Sequence, residues 1–261
     1  MNPRSLVSIT LGLLLLAALP APRPAQSQPK AATAVSAADA ACIKCHKDTG
    51  KADTVHAPMK DGCVSCHKAL DASVTPHKTT NKVKGGVAAK GAEHCYACHD
   101  KTAYAKKSRH AALRNCTDCH DPHASPQEKL LTEAPEKLCF KCHEQAEFQA
   151  KYVHDPVKEG ACTGCHDAHA SDHPVLLVKA KPQVCLTCHA KVRKKPHAVT
   201  GFTGAGHPIG GEKPGLMNPA NPKEPFYCGS CHESHISKHA KLSRFDPNDA
   251  KVGYCQRCHP M

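Results

Sequence analysis

The cysteines of this chain all lie in one repeated pattern. Cys-x-x-Cys-His occurs nine times and uses all eighteen cysteines. This pattern is typical of covalent attachment of a c-type haem. Two thiols on one short helical turn can each form a thioether with one haem vinyl group, and the histidine that follows can bind the iron from one side. The sequence therefore predicts nine covalently attached haem c groups.

The nine motifs, numbered 1 to 9 in chain order, predict two sets of site residues. The predicted attachment cysteines are Cys42, Cys45, Cys63, Cys66, Cys95, Cys98, Cys116, Cys119, Cys139, Cys142, Cys162, Cys165, Cys185, Cys188, Cys228, Cys231, Cys255 and Cys258. The predicted proximal iron ligands are His46, His67, His99, His120, His143, His166, His189, His232 and His259.

Other uses of paired cysteines explain this pattern less well. Structural zinc sites use Cys-x-x-Cys pairs but need no histidine directly after the second cysteine. Thioredoxin-like motifs come singly beside a βαβ pattern. A disulfide framework predicts paired thiols and leaves the histidines unexplained. Nine motifs with no cysteine left over favour haem attachment.

The second axial ligand of each iron is predicted to be a histidine. Methionine is the competing ligand and raises the potential, but Met1 falls in the leader and only Met59, Met217 and Met261 remain. Most of the chosen histidines recur at one of two repeat positions, between two motifs or three residues after a motif histidine. The predicted distal ligands are His56, His77, His110, His123, His154, His169, His197, His207 and His235.

The distal set leaves an alternative open. His94, His173 and His239 lie outside it, and any of them could replace a chosen ligand. A distal histidine also need not serve the haem attached nearest to it in sequence. The sequence therefore predicts which histidines are ligands, and it does not predict their pairings.

The motifs are arranged in repeats, which predicts a chain whose units contact mainly their neighbours. We expect one haem-binding domain over 42–261 and no independent domains within it. Its predicted di-haem units are about 42–94, 95–138, 139–184 and 185–254, with a last motif at 255–259. A flexible loop is predicted over 78–92, and a Gly- and Pro-rich excursion without regular structure over 199–226.

The composition predicts a fold with little regular structure. Aromatic residues make up 4% of the chain, tryptophan is absent, and there are 21 prolines and 16 glycines. No sustained alternation of apolar and polar residues argues for a strand, so no significant β-sheet is expected. Short α-helices are expected near the motifs, for example at Gln145–Lys151 and Ala190–Lys195. Stacked haems are expected to form the core.

The first residues resemble a secretory signal. Arg4 precedes an apolar stretch from Leu6 to Leu19, and small residues follow at Ala25-Gln26-Ser27. We therefore predict a signal peptide over 1–27 and a flexible lead-in over 28–41. The apolar stretch is short for a membrane span, and no other stretch could form one. Export is expected, because haem c is assembled outside the cytoplasm.

The net charge of +12 at pH 7 does not predict a nucleic-acid partner. Each haem brings two propionates, so the lysines are expected to offset haem charge. No nucleic-acid motif and no interleaving of basic with aromatic residues supports the alternative.

The chain resembles the doubled-CXXCH-motif multihaem cytochromes c. The resemblance rests on His56-Ala-Pro-Met-Lys-Asp-Gly-Cys63, on His120-Asp-Pro-His123-Ala-Ser with its repeats at His166 and His232, and on the longer stretch from His207 to Cys228. It covers about 42–259. Members of this family include periplasmic decahaem partners of outer-membrane electron conduits.

The resemblance implies electron transfer through low-potential bis-His haems in bacterial anaerobic respiration. The implied location is the periplasm, the outer membrane or the cell surface. The implied partners are other redox proteins, namely quinol-linked or periplasmic donors, an outer-membrane conduit or cell-surface cytochromes. The alternative is a multihaem reductase of nitrogen or sulfur oxyanions, which needs one iron with an open position. No Cys-x-x-Cys-Lys variant marks such a site here, and an electron carrier without catalytic residues is preferred.

Overall fold

The computed structural model describes residues 39–194, 197, 207, 209–210, 215–218, 221–249, 256 and 259. The chain divides into two units, Met1–Ala34 and Val35–Met261, and every described residue belongs to the second. The predicted signal segment and most of the predicted lead-in lie outside the described residues. Within the described part, no helix is long and apolar enough to cross a membrane.

The helices of the described chain are short. Five are α-helical: α1 (Ala40–Cys45), α2 (Ala92–Cys95), α3 (Pro135–Leu138), α4 (Asp155–Lys158) and α5 (Gln183–Leu186). The 3₁₀ helices span Ala57–Asp61, Cys63–Ser65, Lys84–Gly86, Lys101–Tyr104, Ala111–Arg114, Cys116–Asp118, Glu128–Leu130, Cys139–Lys141, Gln145–Phe148, Cys162–Gly164, Pro174–Leu176, Ala190–Lys194, Cys228–Ser230 and Ala240–Leu242. The two helices expected after motifs 5 and 7 are present as 3₁₀ helices, Gln145–Phe148 and Ala190–Lys194.

The strands are shorter still. They are β1 (Thr54–Val55), β2 (Leu70–Asp71), β3 (Lys78–Thr79), β4 (Ser108–Arg109), β5 (Ala124–Ser125), β6 (Tyr152–Val153), β7 (Ala170–Ser171), β8 (Met217–Asn218), β9 (Asn221–Pro225) and β10 (Ile236–Ser237). They form five two-stranded antiparallel sheets, β1 with β5, β2 with β3, β4 with β7, β6 with β10 and β8 with β9. Nine of these ten strands have two residues, which is too short for any alternation to be visible, and β9 contains two prolines, so the small sheets could not be predicted from the sequence.

Three of the sheets join segments that are far apart in sequence. β1 pairs with β5, β4 with β7 and β6 with β10. In each case the first strand directly precedes a predicted distal histidine and the second directly follows another. The sheets therefore connect the repeats at their predicted ligand positions.

Both insertions contain local structure. The segment predicted as a flexible loop over 78–92 includes β3, which forms a hairpin with β2, and the 3₁₀ helix Lys84–Gly86. The excursion predicted over 199–226 includes β8 and β9, which pair with each other, although much of it lies outside the described residues.

The polypeptide itself buries few apolar side chains. In the described part of the chain they are Ala92, Leu113, Ala170, Leu177, Ile209 and Phe226. Three serines that directly follow distal-histidine segments, Ser125, Ser171 and Ser237, are as well buried as these. The interior of the described unit thus lies around the histidine segments.

Candidate multihaem site

Each of the Cys-x-x-Cys-His motifs 1 to 8 forms one helical turn. In motif 4, the backbone N–H of His120 donates to the carbonyl of Cys116 at 2.9 Å, and that of Cys119 donates to the same carbonyl at 3.2 Å. Motifs 1 to 8 share the bond from the histidine N–H to the first cysteine, at 2.9–3.0 Å. An i to i+4 bond places residues on one face, so both thiols and the imidazole can face one group. Of motif 9, the structure describes Gln256 and His259.

All sixteen described cysteines are free of disulfides. Their sulfur atoms are therefore available for thioether bonds. This observation argues against a disulfide framework in motifs 1 to 8.

Each predicted proximal histidine lies beside one predicted distal histidine. The ring centroids are 5.9–6.2 Å apart in all nine pairs. In motif order the pairs are His46–His77, His67–His123, His99–His56, His120–His169, His143–His110, His166–His235, His189–His154, His232–His197 and His259–His207.

This spacing fits a metal ion between the two rings of each pair. A metal–imidazole bond is about 2.0–2.1 Å long, so two imidazoles on opposite sides of one ion leave their ring centres roughly 6 Å apart. The residues therefore fit a haem iron with two axial histidines at every motif. The remaining histidines, His94, His173 and His239, have no such ring contact with a motif histidine in the described part of the chain.

Backbone carbonyls orient the proximal imidazoles of motifs 2, 4, 6 and 8. The Nδ1 atoms of His120 and His166 lie 2.8 Å from the carbonyl oxygens of Lys129 and Val175. His67 and His232 make the same contact with Gly85 and Lys241, at 2.5 and 2.9 Å. When Nδ1–H donates to a carbonyl, Nε2 is left with its lone pair for a metal.

The turns that supply these carbonyls adopt an uncommon backbone conformation. Lys129 and Leu130 have φ of 57° and 58°, and Val175 and Leu176 have 50° and 59°. Left-handed residues other than glycine cost roughly 1–2 kcal/mol each. The same turn recurs at Lys241 and Leu242. Its recurrence after three motifs indicates that the hydrogen bond between its carbonyl and the histidine offsets this cost.

Several distal imidazoles are oriented in the same way. The Nδ1 atom of His56 lies 2.8 Å from the carbonyl of Pro122, and that of His77 lies 2.8 Å from the carbonyl of Val74. Burial lowers the pKa of four distal histidines, His123, His169, His197 and His235. A lowered pKa favours the neutral imidazole, which is the form that binds metals.

Carboxylates hold the backbone of two distal histidines. One oxygen of Asp121 accepts from the N–H groups of His123 and Ala124, at 2.8 and 3.3 Å, and Asp167 makes the equivalent bonds to His169 and Ala170. These aspartates belong to the repeated His-Asp-x-His pattern. Their role as supports for the next histidine could have been read from that pattern.

Distal histidines meet in pairs through their backbones. The N–H of one donates to the carbonyl of another in four places, which we call histidine junctions: His56 to His123 at 2.9 Å, His110 to His169 at 2.8 Å, His154 to His235 at 2.9 Å and His207 to His197 at 3.1 Å. The imidazole contacts assign these histidines to motifs 3 and 2, 5 and 4, 7 and 6, and 9 and 8. Histidine junctions therefore join motifs 2–3, 4–5, 6–7 and 8–9.

First cysteines meet across the other four intervals, at what we call cysteine junctions. The thiols of these cysteines lie beside each other in pairs, Cys42 with Cys63, Cys95 with Cys116, Cys139 with Cys162 and Cys185 with Cys228. Burial, and then the contact with Cys116, raises the pKa of Cys95 to about 11. Cysteine junctions therefore join motifs 1–2, 3–4, 5–6 and 7–8.

The two junction types alternate without a gap. Motifs 2 to 8 are each joined to the motif before and the motif after, and motifs 1 and 9 to their one neighbour, so the nine candidate sites follow one another in chain order. This order could not be predicted from the sequence, because neither the pairing of the histidines nor the contacts of the thiols is visible in the motif spacing.

Some residues of the site were missed by sequence reasoning. The Tyr104 ring packs edge-on against His169, with centroids 5.4 Å apart, and Phe148 packs likewise against His235 at 5.5 Å. Each is preceded eight residues earlier by an aromatic residue of a motif, Tyr96 or Phe140, that it also contacts. The spacing of eight residues between these aromatic residues is the sequence feature that could have indicated the contacts. Asp39, a buried carboxylate beside Cys63, had no sequence signal.

The family model for the doubled CXXCH motif matches the chain over 56–104, 110–148, 154–194 and 209–261. The matches cover well over half of the chain, which therefore belongs to the family with the doubled CXXCH motif and is a multihaem c-type cytochrome, a class that transfers electrons. No curated protein matches the chain.

The four matched segments group the motifs in a particular phase. They hold motifs 2 and 3, 4 and 5, 6 and 7, and 8 and 9. This grouping coincides with the four histidine junctions. The units expected from the sequence grouped the motifs one step earlier, starting with motifs 1 and 2.

Proposed function

We propose that this chain is a nine-haem cytochrome c that conducts electrons through its haems in the order of their motifs. Haem supplies one-electron exchange at its iron. The cysteine pair of each motif would anchor one group, and the paired histidines would bind its iron. The alternation of histidine and cysteine junctions carries the proposal, because it leaves each site beside the sites that adjoin it in sequence.

Bis-His ligation sets the range of reduction potentials over which such a chain exchanges electrons. Two histidines give a lower potential than a histidine and a methionine. The carbonyl acceptors on Nδ1 add electron density to the imidazoles and lower the potential further. The polypeptide thus favours ferric iron at every site. The chain of haems would therefore conduct electrons at negative potentials.

The small protein core supports a haem-built interior. Six buried apolar side chains in the described residues are few for a unit of this length. The thioether bonds and the two imidazole ligands at each site would supply folding free energy that apolar packing does not supply. Metal binding has the same role in small metal-containing domains.

The proposed setting is bacterial anaerobic respiration outside the cytoplasm, in the periplasm, at the outer membrane or on the cell surface. Partners would be other redox proteins that exchange electrons with the terminal haems. A periplasmic or quinol-linked donor would serve one end, and an outer-membrane conduit or cell-surface cytochrome the other.

Intact mass tests the haem count directly. Protein matured in a host that assembles cytochromes c is precipitated with acid, which removes haem that is not covalently bound. The expected mass is the polypeptide plus nine haems. Matured protein that carries eight or fewer would refute the use of every motif. A variant with Cys139→Ala and Cys142→Ala serves as the control and should lose one haem mass.

A further inference from the structure

Asp39 places a carboxylate inside the junction between motifs 1 and 2. Its exposed fraction is 1%, and one of its oxygens accepts a hydrogen bond from the N–H of Cys63 at 2.7 Å. Ligand atoms of Asp39, Cys42 and Cys63 all lie within 4.8 Å of one another. In the described part of the chain, Asp39 is the one ionisable side chain among the buried residues.

The backbone around Asp39 is shaped to accept the carboxylate. Gly62 has φ of +91°, a conformation that favours glycine. A Cβ at this position would lie 2.7 Å from Oδ2 of Asp39, which is closer than atoms can approach. Gly62 thus makes room for the carboxylate directly before the first cysteine of motif 2.

The other cysteine junctions lack this buried charge. Asp39 lies three residues before the first cysteine of motif 1. The corresponding residues before motifs 3, 5 and 7 are Ala92, Glu136 and Pro182. Ala92 and Pro182 are buried and carry no charge, and Glu136 is exposed. Among the described cysteine junctions, a buried carboxylate therefore occurs at the first one.

A small cation is a poor candidate for this cluster. Both thiols belong to haem-attachment motifs, and a thioether sulfur is a much weaker ligand than a thiolate. The remaining candidates for the action of this carboxylate are the two haems that the cysteines would attach.

We propose that Asp39 is a tuning residue whose negative charge lowers the reduction potentials of the haems attached at motifs 1 and 2. Reduction adds one electron to each haem, and a nearby negative charge opposes it. Charge interactions are strong where water is excluded, and net charge and burial near a cofactor set its potential. The first junction is then the low-potential end of the chain. This inference rests on the proposed function, since it needs haems at motifs 1 and 2.

The test is a potentiometric titration of the complete holoprotein, Asp39→Asn against parent. The asparagine keeps the size of the side chain and an oxygen acceptor and removes the charge. One or two of the lowest-potential components should move upward, by about tenfold in the ratio of reduced to oxidised haem at fixed potential, which is about 59 mV for one electron. The other components should keep their potentials.

Two matched variants separate charge from structure. Asp53→Asn removes an exposed carboxylate from the same end of the chain, and its titration should match that of the parent. Asp39→Glu keeps the charge, and its lowest components should stay near the parental potentials. An Asp39→Asn titration identical to the parent would overturn the proposal, and so would equal upward shifts in Asp39→Asn and Asp39→Glu.

Mass spectrometry keeps this test distinct from that of the proposed function. A parent protein with fewer than nine haems would refute the nine-haem proposal itself. A full parent with a haem missing from both Asp39→Asn and Asp39→Gln, and none missing from Asp39→Glu, would overturn the tuning role, because Asp39 would then act in haem attachment.

Discussion

The backbone N–H of His110 donates a hydrogen bond to the carbonyl of His169 at 2.8 Å, although 58 residues separate them in sequence. The ring of His110 lies beside His143 and that of His169 beside His120. One hydrogen bond thus fixes the distal ligands proposed for two neighbouring irons. Any shift of this β4–β7 pairing would move both imidazoles together.

Replacing His169 with methionine should raise the potential of one haem and leave all nine attached. Methionine is the weaker donor to ferric iron, so the reduced state is favoured. Redox titration measures the shift, and intact mass confirms attachment.

His173 offers a matched control for this substitution. It lies four residues after His169 and is not paired with a motif histidine in the described structure. His173→Met should titrate like the parent. A shift in His173→Met with none in His169→Met would show that the ligand assignment is wrong in this repeat.

All irons should be six-coordinate and low-spin in both oxidation states. Nine imidazole pairs with centroid distances of 5.9–6.2 Å would supply two ligands for each iron. Carbon monoxide added to the reduced protein should therefore leave the Soret band almost unchanged. Binding by even one haem would favour the reductase alternative, because a reductase needs an open iron position.

Ser171→Ala should lower the free energy of unfolding by about 1–3 kcal/mol, the usual cost of leaving buried polar groups without partners. The Ser171 side chain is 4% exposed, donates to the carbonyl of Leu177 and accepts from the N–H of His173 at 3.0 Å. Denaturant unfolding of the holoprotein measures the change. Ser234→Ala, at an exposed serine, should change it by less than about 0.5 kcal/mol; equal losses would contradict the role given to Ser171.

Gly86→Ala should disturb the site of motif 2. Gly86 has φ of +65°, and a Cβ there would lie 2.5 Å from the backbone nitrogen of Leu70. The strained turn would move the Gly85 carbonyl away from Nδ1 of His67. The electron paramagnetic resonance spectrum of one low-spin haem should therefore change. Gly164→Ala meets no atom within 4 Å and should leave the spectrum intact; the same change in both variants would contradict this reading.

The local part of the site could be predicted from the sequence. A motif that forms one turn of helix presents its own thiols and imidazole, so the residues of motif 4 identify their chemistry without the fold. The repeat position of His169, three residues after a motif histidine, similarly marked it as a distal candidate. These signals are short-range and lie in residue type and spacing.

The long-range part could not be predicted. His169 lies beside His120, whereas His123, nearer in sequence to His120, lies beside His67. These partners follow from the pairing of strands that are two residues long. Such strands are too short to show a pattern in the sequence. Left-handed turns at residues such as Lys129 were also hidden, because lysine carries no preference for that conformation.

The order of the sites is the central claim, and it is tested by electron delivery from one end. A ruthenium photosensitiser attached through Lys51→Cys, an exposed position beside motif 1, can inject electrons by successive flashes. In the parent, all nine haems should fill rapidly. Without motif 5, through Cys139→Ala and Cys142→Ala, rapid filling should stop after the four haems of motifs 1 to 4. Without motif 9, through Cys255→Ala and Cys258→Ala, eight should still fill. Rapid filling of eight haems in the variant that lacks motif 5 would contradict a path that follows the motifs in order.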